Sequence, residues 1–591
     1  MKHISEFTLA TTLLLGIVFV NPVSGEWSAD PTLRTPVSTA DYRQYFPRLV
    51  QVDDGFVVTW QDTRRDNTHV DVYAQKIGLN GEMLWPDNGR VIAAGPENSL
   101  VYHIQLNAGL VHDGDGGALV GWNDANDPLY LQAFVTKASA GATVSWGNPG
   151  DRIQASDTAM PMMANPTRGA NRLPEQWGMV ADSEKGVFVP LGTGLGRVSS
   201  SGSVRTHWYS DPSDYRVLGL RVPLVPVLES GGRDAVIAVW NQGNTYFSDG
   251  IRARKLVDPE SSWPTSPDTF SIPWGTKSVY EPDYSISVCK VAAVPDGSGG
   301  AIAVWIDDRV RTETSHYRVY AQKINSNGGL MWLQGGVEVS ADTMCHWGST
   351  LFAVADGEGG VVIAWNEGQY TQRAQRLAAD GSAYWAAGGV IVDSQTADPY
   401  YDLTTHGLVR ATDGNFIVLY HHEENAKLIT QKLDGASGTP LWGDGQVVLN
   451  ACFYPYNAGN APMVSDGHAG AVVAWESCDG NIYAHRVVEE ATISQMNAGM
   501  NDAWYNPNTD GQGFFINVFP ILNVVSLAWF TYDTELPPVD AIAYLGDPGH
   551  RWLTALGPIE GNQSLMNIEL TSGGIFDTAT AIIRTDPPGS D

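Results

Sequence analysis

Carboxylate, carboxamide and imidazole side chains recur in this 591-residue chain at one kind of place, directly after a tryptophan or tyrosine that ends an apolar run. The set comprises Gln61, Asp62 and Arg64; Asn123 and Asp124; Asn241 and Gln242; Asp307, Asp308 and Arg309; Asn366 and Glu367; His421, His422 and Glu423; and Glu476. Amides and carboxylates beside aromatic rings suit carbohydrate, whose hydroxyls need paired donors and acceptors and whose ring faces stack on aromatic side chains. Adjacent acids such as Asp307 and Asp308 could instead serve hydrolysis, but acid–base work needs two carboxyl groups held across a substrate, about 5 to 9 Å apart. A third use is to hold the frame, since Asp62, Asp308 and Arg309 are equally suited to bonds within or between repeats. The run His421 to Asn425 gathers metal-ligand types, yet successive side chains at a strand end point apart and rarely share one ion. The turn Asp113 to Gly117 alternates carboxylates with glycines but lacks the full ligand series of a calcium loop, and Gly and Asp favour tight hairpins by themselves. No metal ligand, catalytic residue or cofactor is assigned from these patterns.

The elements that must position these residues repeat along the chain. The clearest unit runs from Asp296 to Trp332, DGSGGAIAVWIDDRVRTETSHYRVYAQKINSNGGLMW. It reads as a tight acidic turn, an apolar strand closed by Trp305, a polar loop, an alternating strand and an Asn-Gly turn before a second Trp. The closing aromatic recurs as Trp60, Trp122, Trp240, Trp305, Trp365 and Trp475, with degenerate copies ending at Leu191 and Tyr420, giving eight units at spacings of 49 to 69 residues. The second half recurs before Trp85, Trp332, Trp385 and Trp442. Each unit therefore supplies four strands, A to D, and stacking such units radially protects their edges. The expected fold is all-β: an eight-bladed β-propeller over residues 26–490, closed by an N-terminal strand. That closure is expected because no outer strand follows Tyr483 to Val488, whereas Thr35 to Pro47 resembles the links that follow Trp332 and Trp385. The B–C loops and D–A links then share one face, and the polar set above rims one mouth of the central channel. Gln75, Gln322 and Gln375 within strand C are expected to make buried bonds between blades.

The Asp/Asn-x-x-x-Gly-x-x-x-Trp pattern, clearest from Leu433 to Trp442, resembles the tryptophan-docking repeat of quinoprotein-type eight-bladed propellers, in which Trp side chains wedge adjacent blades together. The whole unit also resembles repeats of secreted bacterial propeller proteins. The quinoprotein resemblance would imply oxidation by a bound cofactor held near adjacent cysteines, but this chain has no Cys-Cys pair. Beyond Glu490 the repeat stops. Residues 491–591 resemble a Trp-Tyr-x-Pro, Gly-x-Gly-Phe and Trp-Phe-Thr-Tyr module of secreted gammaproteobacterial proteins, and a small β-sandwich or barrel is expected there.

Lys2 and His3 followed by the apolar run Leu9 to Val20 have the layout of a secretory leader over residues 1–25, cleaved near Glu26. The mature protein is then secreted or periplasmic. Net charge is −30, from 65 acidic against 35 basic residues, which disfavours nucleic acid and anionic membrane surfaces as partners. Neither nucleic-acid binding nor membrane insertion is expected. Four cysteines suit an oxidising compartment, and strand placement leads to the pairs Cys452–Cys478 and Cys289–Cys345. The function these readings converge on is a binding or adhesion scaffold for a glycan or another cell-surface or extracellular ligand. The alternative is a secreted polysaccharide-acting glycosidase or lyase using carboxylates at the propeller mouth.

Overall fold

A computed structural model describes residues 27, 34–66, 69–94, 105–127, 130–144, 153–154, 160–161, 178–191, 194–208, 223–228, 234–243, 248–257, 277–280, 286–310, 317–340, 343, 350–368, 371–394, 403–422, 427–443, 445–449, 461–488, 502–504, 513–519, 524–531, 551–558, 564, 566–572 and 583–585. Every regular element among them is a β-strand, and no helix is long and apolar enough to cross a membrane. The chain divides into two compact units between Val487 and Val488.

In the first unit the strands form successive antiparallel sheets. The first sheet runs Gln44–Val52, Gly55–Asp62, Asp71–Gly78, Arg90–Ala93, as strands A to D. The second begins Gln105–His112, Ala118–Asp127, Tyr130–Ala138, and both Ile153–Gln154 and Met160–Pro161 pair with its strand C. The third to seventh repeat the A-to-D order, with B strands Val187–Leu191, Asp234–Gly243, Ala301–Asp307, Val361–Glu367 and Phe416–His422. The eighth combines Met463–Ser465, Ala471–Glu476 and Ile482–Val487 with Thr35–Ser38 from the beginning of the chain. Thr35 there faces Ala484 and Pro36 faces Tyr483. Each A strand lies beside the A strands of the sheets before and after it, and Met463–Ser465 lies beside Gln44–Val52. This is a propeller-like, all-β arrangement.

The B strands are largely apolar up to their closing aromatic because both of their faces are covered; every residue of Ala301–Asp307 is buried. Alternate residues of one B strand enter different cores. Val57 packs with Ala118, Val120 and Trp122 of the second sheet, whereas Val58 and Trp60 pack with Val472 and Ala474 of the eighth. The A–B turns are self-contained. Asp296 Oδ1 accepts the N–H groups of Ser298 (2.8 Å) and Gly300 (2.7 Å), and Asp113 does the same for Asp115 and Gly117. At Gly300 a Cβ would lie 2.2 Å from Ile324 O, so the turn closes only on glycine.

Two sets of bonds tie the first sheet to the second, the fifth to the sixth and the sixth to the seventh. Trp85, Trp332 and Trp385, on the C–D turns, donate their indole N–H to Ala140 O, Ala379 O and Gly435 O of the following sheet at 3.0, 3.1 and 3.1 Å. Trp442, at the same place in the seventh sheet, packs on the core that includes Met463, Ala471 and Trp475, but its indole N–H has no acceptor. Strand-C cations reach the same way, with Lys76 Nζ to Gly116 O and Lys323 Nζ to Gly359 O, both 2.8 Å. The expectation for the strand-C glutamines is corrected. Gln75 and Gln322 accept the backbone N–H of Trp85 and Trp332 and donate to Pro86 O and Leu333 O, while Gln375 donates to Ala386 O, all within their own sheets. A buried amide that donates and accepts along one hairpin fixes the turn bearing the tryptophan, and the adjacent cation, pointing to the other face, makes the link between sheets.

The first sheet also receives an indole. Trp27 Nε1 donates to Leu79 O at 2.9 Å, its backbone N–H donates to Asn80 O, and its ring meets Phe56 edge-on at 6.2 Å. Leu79 stands three residues after Lys76, as Ala140 does after Lys137 and Ala379 after Arg376. Trp27 thus occupies the position that Trp85 and Trp332 occupy elsewhere, a role the sequence reading did not assign to it.

In the second unit the strands Asp502–Trp504, Gly513–Phe519, Val524–Thr531, Arg551–Pro558, Asn567–Ser572 and Ile583–Thr585 form one six-stranded antiparallel sheet in sequential order. Ile516, Val518, Val525, Leu527 and Ala555 make its core, while Phe515 and Phe519 stand exposed. Where a sandwich or barrel was expected, the described strands make a single open sheet. Neither Cys289 nor Cys478 is a free thiol; Cys345 and Cys452 lie outside the described residues. Replacing Trp27 by Ala is predicted to cost roughly 2–3 kcal/mol, read as a lower urea midpoint of the Gly25–Val487 unit and matching the cost of Trp332→Ala; no shift for Trp27→Ala alone would remove its structural role.

Candidate functional site

The polar residues after each strand-B aromatic split into two groups by strand alternation. The residue two places on returns to the face of the aromatic itself. Trp60 Nε1 donates to Asp62 Oδ2 at 2.7 Å, and Arg64 closes on the same carboxylate at 2.6 Å through Nη2, which also donates to Asn88 O at 2.9 Å. The guanidinium lies 3.8 Å over the Tyr73 ring. The fifth sheet repeats the clamp. Trp305 Nε1 donates to Asp307 at 2.7 Å, Arg309 pairs with that carboxylate through Nε and Nη2, and its Nη1 donates to Gly335 O at 2.7 Å. Arg309 is held between Tyr280 and Tyr320, 3.5 and 3.7 Å from their centroids. Burial, opposed by Arg309, pushes the Tyr320 hydroxyl up to about 12. Asp62, Arg64, Asp307 and Arg309 therefore pin the strand-C return to the outer strand. Asp308 is also engaged, accepting Ser287 N–H at 2.7 Å.

The residue one place after the aromatic points to the following sheet and reaches its A strand. Asn366 Nδ2 donates to Leu403 O, and its Oδ1 accepts from Thr350 Oγ1 at 2.9 Å. Glu476 accepts from Arg43, through Nε at 2.9 Å and through Nη2, and from the backbone N–H of Phe46. Burial raises the Glu476 carboxyl against the pull of Arg43. Glu367 pairs with Arg373. His421 is buried, its ring 5.9 Å from that of His406. His406 is the bulged residue of its A strand, between Thr405 and Gly407, and burial, then His421, pushes it down to about 3. Gln61 is 1% exposed, and neither of its amide atoms has a partner. Asn241 lies partly buried opposite Ile251. The side chains of Asn123, Asp124, Gln242 and His422, and Glu423 entirely, lie outside the described residues.

Three residues that the sequence reading passed over share this rim. Arg43, Tyr45 and Arg48 lie at the start of the first A strand, where Tyr45 faces Gln61 and Arg48 faces Thr59 across a bulge at Phe46 and Pro47. Burial, opposed by Arg43, takes the Tyr45 hydroxyl up to about 12, and burial takes Arg48 down to about 10. An arginine within a largely apolar segment, PRLVQV, was the available signal. Among the described residues no three His, Cys, Asp or Glu side chains gather as a metal site.

No protein-family model matches this chain, and no curated protein matches it. A streptogramin B lyase structure aligns at 10% identity over 65% of this chain and 96% of its own, with a TM-score of 0.33. The Aleuria aurantia lectin bound to a fucosylated sugar aligns at 11% identity over 69% and 98%, with a TM-score of 0.30. The Swd1 β-propeller domain of Myceliophteria thermophila aligns at 9% identity over 61% and 94%, with a TM-score of 0.31. At such scores and identities these likenesses say nothing of activity here.

Two outcomes check this geometry. Asp307→Asn leaves the partly buried Arg309 uncompensated and is predicted to cost about 3 kcal/mol of unfolding free energy. Glu338→Gln, which breaks the exposed Arg318–Glu338 pair, costs less than about 1 kcal/mol; equal costs would remove the clamp's structural role. For His406 the folded chain refuses a proton that the unfolded chain accepts below its ordinary 6.5. Stability is therefore lost as pH falls from about 6.5 towards about 3, by roughly 2 kcal/mol at pH 5. Denaturation of His406→Gln across that range should show a correspondingly flatter pH dependence, and an unchanged slope would contradict the assignment.

Proposed function

We propose that residues 26–490 form an eight-bladed β-propeller sealed by the N-terminal strand, and that it acts as an exported binding scaffold for a glycan or another polar ligand at its B–C loop face. Support for closure is the adjacency of Met463–Ser465 and Gln44–Val52, the pairing of Thr35–Ser38 with Ile482–Val487, and the Trp27 indole on Leu79. In this reading Trp27, Trp85, Trp332 and Trp385 are tryptophan-docking residues through their indole N–H, and Trp442 is one by packing alone. Cys452–Cys478 and Cys289–Cys345 are the disulfides of a protein whose leader, residues 1–25, has been removed, and residues 491–591 form an appended β-domain.

Binding is preferred to catalysis on one observation. Each described rim carboxylate, Asp62, Asp307, Asp308, Glu367 and Glu476, is bonded to a cation or backbone N–H of the frame. Groups fixed this way hold loops in place, whereas a hydrolase needs two carboxyls free to exchange protons with a substrate. Glu476 favours the alternative, a glycosidase or lyase, because burial raises its carboxyl as a general acid requires. A glycan array probed with the mature full chain tests both. Selective binding that falls at least tenfold in an Asn123→Ala, Asn241→Ala variant is expected; Asn366 is spared because it bonds into the next sheet. Identical weak profiles for both proteins would sink the binding reading, and release of shortened glycans would replace it with the enzymatic one.

A further inference from the structure

We infer that the first and second sheets hold between them, at the B–C loop end, a binding cleft for a carboxylate-bearing sugar, with Arg48 taking the carboxylate and Gln61 a neighbouring hydroxyl. The inference rests on the glycan reading above and narrows it to one interface and one ligand class.

Strand alternation assembles the cleft. Arg48 follows the same face of its A strand as Val50 and Val52, which pack against the second sheet. Tyr45 stands opposite Gln61, and Arg48 stands opposite Thr59, two residues before Gln61 on the adjoining strand. Across the interface Trp122 closes the apolar core formed with Val57, Val72 and Ala74. The polar residues thus extend a packed apolar wall towards the rim.

What separates this interface from the others is the state of its polar atoms. At the position of Gln61 the sixth sheet has Asn366, bonded to Leu403 O, and the eighth has Glu476, bonded to Arg43. The fifth has the apolar Ile306, which packs with Val304 and Val319. Gln61, by contrast, is buried with neither amide atom paired; Trp122 Nε1 also has no acceptor, as is true of Trp240, Trp365 and Trp475, so Gln61 and Arg48 are what set this interface apart. Arg48 Nε is likewise unpaired; its guanidinium donates from Nη1 to Pro47 O at 3.3 Å, and no described carboxylate forms an ion pair with it. Asp62, the acid next to Gln61 in sequence, turns to the other face and is neutralised by Arg64.

Buried polar atoms without partners are costly to a fold, and an uncompensated guanidinium is the most costly of them. A free Nε edge beside Nη matches the two oxygens of a carboxylate. The Gln61 amide offers one donor and one acceptor, as a hydroxyl requires, and the Trp122 indole adds a donor. Tyr45 supplies a ring edge and a hydroxyl that burial keeps protonated. A neutral sugar would leave Arg48 unpaired, and a simple carboxylate would leave Gln61 and Trp122 unpaired.

Calorimetric titration of the mature full chain with D-glucuronate, D-glucose and acetate tests this. Glucuronate is expected to bind at least tenfold more tightly than either of the others. Arg48→Gln should bring glucuronate to the level of glucose without lowering the thermal midpoint, because the substitution removes an uncompensated charge. Gln61→Leu should weaken glucuronate while leaving the protein as stable or more so. Glucuronate no tighter than glucose, acetate as tight as glucuronate, or glucuronate affinity unchanged in Arg48→Gln would each overturn the inference. Binding of neutral array glycans that persists alongside any of these results would leave the broader glycan reading standing.

Discussion

The seating of a tryptophan of one sheet against the next, with its indole N–H given to a backbone carbonyl at three of the four described C–D turns, is the interaction on which this architecture depends. A four-stranded sheet with apolar residues on both faces of its B strand cannot stand by itself, so each sheet must be covered on two sides by others. Hydrophobic packing between sheets is non-directional; the indole on Ala140, Ala379 or Gly435 and the strand-C cation beside it set how far each sheet turns against its neighbour. Trp27 brings the same contact to the first sheet from the beginning of the chain.

This frame determines what the rim can do. Position along the B strand decides whether a polar side chain serves its own sheet or the next one. Asp62 and Asp307 close on their own tryptophan and arginine, whereas Asn366 and Glu476 cross to the neighbouring A strand. Most of the described polar groups that follow the strand-B aromatics are thereby consumed in holding loops. The interface between the first and second sheets departs from that pattern, and the departure makes it the place to look for a ligand.

The turns, the B strands and their aromatics could be read from sequence because glycine, aspartate and unbroken apolar runs each have one local physical meaning; Gly300 admits no side chain and Ala301–Asp307 no solvent. Trp27 could not be read the same way. It lies eight residues before its outer strand, against five for Trp85, and belongs to a sheet whose other strands come more than 400 residues later. Gln61 and Asp62 look equivalent in sequence, and only pairing register sends one to the second sheet and the other to the eighth. The strand-C glutamines failed for a similar reason, since composition marks a buried amide without telling which hairpin satisfies it. In residues 491–591 alternation correctly indicated strands, but the number of layers is not a local property of the chain.

A cross-link across the seam tests the central claim most directly. Thr35→Cys with Ala484→Cys places two thiols at facing positions on the first and last strands of the propeller-like unit. Peptide mapping of the oxidised double variant should find an intramolecular 35–484 disulfide in the monomer. Free thiols at both positions, or a 35–484 bond found only between two chains, would contradict a ring sealed by its own N-terminal strand.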